Sequence, residues 1–226
     1  MFMYVLLIIG LAVVSAVIGV SLRNRQLARR GEAMRQAAQF LGIQYLEGEA
    51  AYAHTQQERT DEGFSPQPMP ETLERLVRKL STPRLTGLFR GIRVTVYEEQ
   101  HTSHNGTHTE SRFKAYFAAP LPFELALSKE GAAARITKAF GGQDVTIGDA
   151  AFDAAVRVKT STPDAAVHYL QDADRRKAVL AALQSYPSTV VCRTHVVVSR
   201  QGRLKGSEEI KAVLAAIVPV ATAFSE

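Results

Sequence analysis

The densest set of potential ligands in the chain is the stretch His101-Thr-Ser-His104-Asn-Gly-Thr-His108-Thr-Glu110. Imidazole nitrogens and a carboxylate are donors that zinc and nickel accept. Asn105-Gly106 at its centre is the dipeptide of a type I′ hairpin turn, since both residues tolerate positive φ. A turn on that pair sets residues opposite one another when their numbers sum to 211, so His101 faces Glu110 and Ser103 faces His108. Alternation sends His104 to the other face and leaves His101, His108 and Glu110 as the metal set. The competing reading is a solvated, polar hairpin tip, because the spacing matches no established metal motif.

A second candidate is Gly148-Asp149-Ala-Ala-Phe152-Asp153. On a helix Asp149 and Asp153 share a face and could hold a divalent ion or exchange a proton. Capping is simpler: Gly148 turns the chain, Asp149 opens a short Ala-rich helix and Phe152 enters the core. Nucleophilic catalysis has no visible machinery. No Gly-x-Ser-x-Gly turn occurs, and Cys192 and His195 lie three apart in the strand-like run 190–198, so their side chains point apart. Cys192, the single cysteine, reads as a small buried hydrophobe and excludes an internal disulfide. Gly141-Gly142 alone is too weak for a phosphate loop. The chain is therefore not expected to be an enzyme or to need a cofactor.

These side chains sit behind a strongly apolar N-terminus. Residues 1–22 hold no Asp, Glu, Lys, Arg or His and are followed at once by Arg23, Arg25, Arg29 and Arg30. A helix of that length, at about 1.5 Å per residue, matches a hydrocarbon core of roughly 30 Å. Val14-Ser15-Ala16 resembles a signal cleavage site, but no basic residue precedes the run and the run continues beyond that site. An uncleaved transmembrane helix is the expectation. Its charge asymmetry predicts a single-pass inner-membrane protein with the N-terminus outside and the domain in the cytoplasm. Ser15 with Gly19, or Ala12 with Ala16, would suit a homodimer through close helix packing.

The overall charge of +5 and pI near 9.4 raise nucleic acid as a partner. Residues 22–35, however, carry five Arg against one Glu, leaving about +1 for everything else. The basicity is juxtamembrane, and it fits the bilayer and its anionic headgroups rather than nucleic acid.

Residues 23–42 read as a basic juxtamembrane helix ending near Gly42, and 51–70 as a polar connection with Pro66, Pro68 and Pro70. Glu71 to Leu80 offers Leu73, Leu76, Val77 and Leu80 as a helical stripe that should pack on the domain. Residues 85–89, 92–100, 111–118 and 123–127 are rich in β-branched and aromatic residues and predict strands. Thr162-Pro163-Asp164 starts a helix, a hairpin runs from Thr189 to Ser199 and across Gln201-Gly202, and a last helix follows a Ser207 cap with Ile210, Val213, Leu214, Ile217 and Val218 inward. The expected architecture is α+β: the anchor, then residues 43–226 as one domain with an antiparallel sheet packed by helices.

The ordered set of anchor, Leu41-Gly-Ile-x-Tyr45, Thr86-Gly-x-x-x-Gly91 and Gly148-Asp149-x-x-Phe152-Asp153-x-x-Val156 resembles a group of uncharacterised bacterial single-pass membrane-anchored proteins, classed as a domain of unknown function. Ala155 and Val156 stand where an aromatic is expected. The resemblance implies no reaction and no catalytic residues. The expected role is a noncatalytic interaction or scaffolding module with a protein partner at the membrane; the alternative is a tethered small-ligand or metal-binding module.

Overall fold

Alternation of apolar and polar side chains sets the strands and sorts the sheet into two unlike faces. The computed structural model describes residues 31–65, 69–103, 106–129 and 143–226. Along them run α1 (31–41), β1 (Gln44–Leu46), α2 (Gly48–Asp61), α3 (Glu71–Leu80), β2 (Arg84–Phe89), β3 (Ile92–Ser103), β4 (Gly106–Tyr116), β5 (Leu125–Lys129), β6 (Gln143–Val145), α4 (Ala150–Ala155), β7 (Val156–Thr160), α5 (Pro163–Tyr169), α6 (Ala173–Ser185), β8 (Thr189–Val191), β9 (His195–Gln201) and α7 (Ser207–Ala223). The nine strands form an antiparallel sheet in the order β1-β2-β3-β4-β9-β8-β5-β7-β6. This is the α+β architecture expected, and no described helix is long and apolar enough to cross a membrane. The apolar run 1–22, Arg23, Arg25, Arg29, Arg30, His104, Asn105 and Gly141-Gly142 lie outside the described residues.

One face is the core. Val94, Val96, Phe113, Ala115, Val196 and Val198 are buried on the strands that pack on α7, which contributes Ile210, Val213, Leu214, Ile217 and Val218, and Leu85 of β2 extends the same core. Each such large side chain contributes about 1.5–3 kcal/mol when buried, so α7 is a principal source of stability. Its cap position is Gly206 rather than Ser207, which is the first helical residue. Ala37 and Ala38 of α1 and the following Ile43 join the same core. Ile43 crosses so near β2 that a Cβ on Gly87 would lie 3.1 Å from its side chain, which accounts for the glycine in Thr86-Gly87. Arg90 and Gly91, both at positive φ, close the β2–β3 turn.

The other face is polar, and its cover corrects the sequence reading of 51–70. Residues 48–61 form the fourteen-residue α2, whose buried residues are Ala51 and Glu58. A helix that docks through long charged side chains shows no hydrophobic periodicity, so the usual signal is missing although Ala, Gln, Glu and Arg favour helix.

Three further expectations change. The β3–β4 register pairs residues whose numbers sum to 209, with Thr102 opposite Thr107 and His101 opposite His108 rather than Glu110, a slip of two residues from the predicted pairing. Residues 190–198 are not one strand: Cys192 to Thr194 form the tight turn of the β8–β9 hairpin, closed by Cys192 N–H donating to the His195 carbonyl at 2.8 Å, and no strand follows Gln201-Gly202. The α3 stripe is not packed away, since Leu73 and Leu76 are 47% and 53% exposed.

Candidate functional site

The polar face of β2, β3, β4 and β9 gathers the chain's chemically able side chains in two adjoining clusters. The first lies towards the β3–β4 hairpin end. Strand alternation puts Glu99 and His101 of β3 on the same face as His108, Glu110 and Arg112 of β4, with Glu99 opposite Glu110. The rings of His101 and His108 stack with centroids 5.3 Å apart. Ligand atoms of Glu99, His101 and Glu110 all lie within 4.8 Å of one another. The predicted trio thus shares a face, but the close set contains Glu99 in place of His108. Glu99 was overlooked because it precedes the histidine-rich segment; its position two residues before His101 was the signal.

Arg112 sits among these carboxylates, its Nε 2.9 Å from Glu99 and its Nη2 3.2 Å from Glu110. Burial works against its charge, yet Tyr97, Glu99 and Glu110 outweigh burial and raise its pKa. The guanidinium therefore supplies the positive charge that two neighbouring carboxylates require. His101 Nε2 lies 3.7 Å from Glu99 and 3.5 Å from Glu110, beyond good hydrogen-bond length. A divalent ion taking these groups would have to compete with Arg112.

The second cluster lies under α2, and sequence reasoning missed it. Arg84 of β2 donates to Glu58, and the Tyr116 hydroxyl donates to the other oxygen of the same carboxylate. Lys114 donates to Glu62, Arg93 donates to Asp61 at 3.0 Å, and the Thr86 hydroxyl is 2.9 Å from His54 Nε2. Arg84 stacks on Tyr97 and Arg93 on Tyr116, with centroid distances of 4.1 and 4.2 Å. Burial opposes ionisation of Glu58, but His54, Arg84, Lys114 and Tyr116 together hold its carboxyl down at about 2. Burial, then Glu58, pushes the Tyr116 phenol up. Burial, reinforced by Lys114, lowers His195 to about 3, so its ring is neutral at ordinary pH. The available signal was paired: Glu58, Asp61 and Glu62 at helical spacing, and Arg112, Lys114 and Tyr116 alternating with Phe113 and Ala115. The bonds fasten a helix to a sheet, leaving the Glu58 carboxylate engaged on both oxygens.

Gly148, Asp149, Phe152 and Asp153 form a structural device. Asp149 caps α4 by accepting from the N–H groups of Ala151 and Phe152, each at 3.1 Å, and accepts from Arg176 of α6 at 2.9 Å. Asp153 accepts from the N–H groups of Ile147 and Gly148, and Phe152 is fully buried. The carboxylates are thus spent on separate local bonds. Cys192 is half-buried, and burial pushes its thiol up to about 12, far from a nucleophile's range.

No protein-family model matches the chain, and no curated protein matches it in sequence. Among solved structures, the chain is similar to the mycobacterial trehalose monomycolate transport factor A, TtfA, at 11% identity and a TM-score of 0.48, covering 85% of this chain and 93% of that one. At that level the likeness carries no functional inference for this chain.

Proposed function

We propose that the chain is a membrane-anchored, noncatalytic interaction module, tethered by residues 1–22 with its α+β domain at the cytoplasmic face of the inner membrane. The uncharged run and the Arg23, Arg25, Arg29 and Arg30 cluster support the anchor and its direction. The observation that carries the interaction role is α3. Leu73 and Leu76 stand exposed on one turn, while Glu71 to Arg75 and Glu74 to Arg78 salt bridges flank them. An apolar pair framed by charges is the pattern by which one amphipathic helix enters an apolar groove on a protein partner. The cluster under α2, by contrast, is tied up in bonds within the fold.

Site-specific photocrosslinking from positions 73 and 76 in intact cells tests this reading. A discrete membrane-fraction adduct at both positions, absent from exposed positions on other elements, supports it; uniform or no adducts count against it. A second reading, a tethered metal-binding module, draws on the proximity of Glu99, His101 and Glu110. Concentration-dependent thermal stabilisation by zinc would favour it.

A further inference from the structure

We infer that Glu99, His101 and Glu110 form an exchangeable divalent-cation site that is loaded by expelling the Arg112 guanidinium, an inference that rests on the metal-binding reading above and fixes its ligands. Two buried atoms carry it. His101 Nε2 and Glu99 Oε2 are closed off from solvent, lie 3.7 Å apart and have no hydrogen-bond partner among the described residues. Buried polar atoms are seldom left unsatisfied. Arg112 Nε stands 2.9 Å from Glu99 Oε2 without the alignment of a hydrogen bond, so it offers charge to the oxygen and nothing to the imidazole nitrogen. One cation held between the two atoms satisfies both.

The sheet sets the spacing. Glu99 pairs with Glu110 across β3 and β4, and His101, two residues on from Glu99, returns to the same face. His101 Nε2 is 3.5 Å from Glu110 Oε2, and ligand atoms of all three residues lie within 4.8 Å of one another. Ligands about 2.1 Å from a zinc-sized ion at tetrahedral angles stand about 3.4 Å apart, so small side-chain shifts close the set. His108 stacks on the His101 ring but is not in this close set. Two carboxylates and one imidazole suit first-row divalent ions such as zinc, manganese or cobalt.

Arg112 makes loading an exchange. Its Nη2 is 3.2 Å from Glu110 Oε2, and the Glu99 oxygen beside its Nε is the one that faces His101. A divalent ion and a guanidinium on the same two oxygens repel each other at close range, so one leaves when the other binds. Arg112 is partly exposed and can swing outward, and the carboxylates keep a cation in either state. Three side chains leave the ion's remaining positions to water, and Glu99 and His101 are partly exposed as well. Closed structural sites use four protein ligands; this one is open, so its ion comes and goes with supply.

The test titrates the full chain in detergent micelles with cobalt chloride, followed by visible absorption. A parallel titration with zinc chloride follows the NMR signal of the Arg112 side-chain N–H, which Arg112→Gln identifies by its loss. One equivalent of cobalt should bind with a ligand-field band, at least tenfold more weakly in Glu99→Gln or His101→Ala and with unchanged affinity in His108→Ala. Zinc should move the Arg112 signal to the position of a solvent-exposed guanidinium. Melting of the metal-free variants near the unsubstituted chain checks that they are folded. Cobalt binding that survives both ligand substitutions, or is lost in His108→Ala, overturns this ligand set while leaving the metal reading intact. Bound zinc with an unmoved Arg112 signal overturns the exchange. Binding of neither ion overturns the metal reading and this inference together.

Discussion

Glu58 of α2 and Arg84 of β2 form an ion pair whose side chains are only 6% and 9% exposed, joining a helix without an apolar face to the polar side of the sheet. Removing one member of such a pair strands the other charge away from water, which costs about 3–5 kcal/mol, whereas replacing both with apolar groups is far milder. Glu58→Ala should therefore lower the urea midpoint strongly, and Arg84→Met should do likewise. The double variant Glu58→Met/Arg84→Met should recover much of the loss. Additive losses in this cycle would show that the two residues act independently.

The same layer makes stability sensitive to acid. His195 is lowered to about 3 from 6.5, so below pH 6.5 the unfolded chain takes a proton that the folded chain refuses, and stability falls. Glu58, lowered to about 2 from 4.5, adds its loss only below pH 4.5. The window from pH 6.5 to 4.5 isolates His195, with a limiting slope of about 1.4 kcal/mol per pH unit for one proton. Urea unfolding across that window should give a smaller slope for His195→Gln than for the unsubstituted chain. An unchanged slope would assign the effect elsewhere.

How much of this was legible follows from what kind of contact made each element. The α7 stripe and the paired strands were readable because Ile210, Val213, Leu214, Ile217, Phe113 and Val198 repeat with helix or strand period against a core. The parity of His101, His108 and Glu110 survived the register shift because His101 exchanged Glu110 for His108, a slip of two residues, and only an odd slip sends side chains to the other face. α2 was not legible because the partners of Glu58 and Glu62 are Arg84, Lys114 and Tyr116, 26 to 58 residues away from the carboxylates they bind, and no local apolar period announces them. The exposure of Leu73 and Leu76 was likewise hidden: a helical stripe says that a face is apolar, not what covers it.

Arg112 gives the metal reading its sharpest test. With its guanidinium on Glu99 and Glu110, an incoming zinc ion meets carboxylates whose charge is already half offset and whose oxygens are occupied. Arg112→Gln removes that competitor while leaving the carboxylates and His101 in register. Calorimetric titration should show zinc bound at least tenfold more tightly by Arg112→Gln than by the unsubstituted chain, with the gain abolished by adding His101→Ala. Equal affinities in all three proteins would exclude this cluster as the binding place.

Leu73 and Leu76 separate stability from interaction. Because both are about half exposed, replacing them with Ser removes little buried area, and surface changes of this kind usually stay within about 0.5 kcal/mol. Leu73→Ser/Leu76→Ser should therefore melt close to the unsubstituted chain. If a partner covers these residues, it desolvates both leucines on binding, and each fully buried leucine contributes about 1.5–3 kcal/mol. The double variant should then lose crosslinking from a neighbouring position such as Arg75 by at least tenfold. A large melting decrease would instead reveal that α3 uses these leucines to hold the fold, and retained crosslinking in a stable variant would place the partner on another surface.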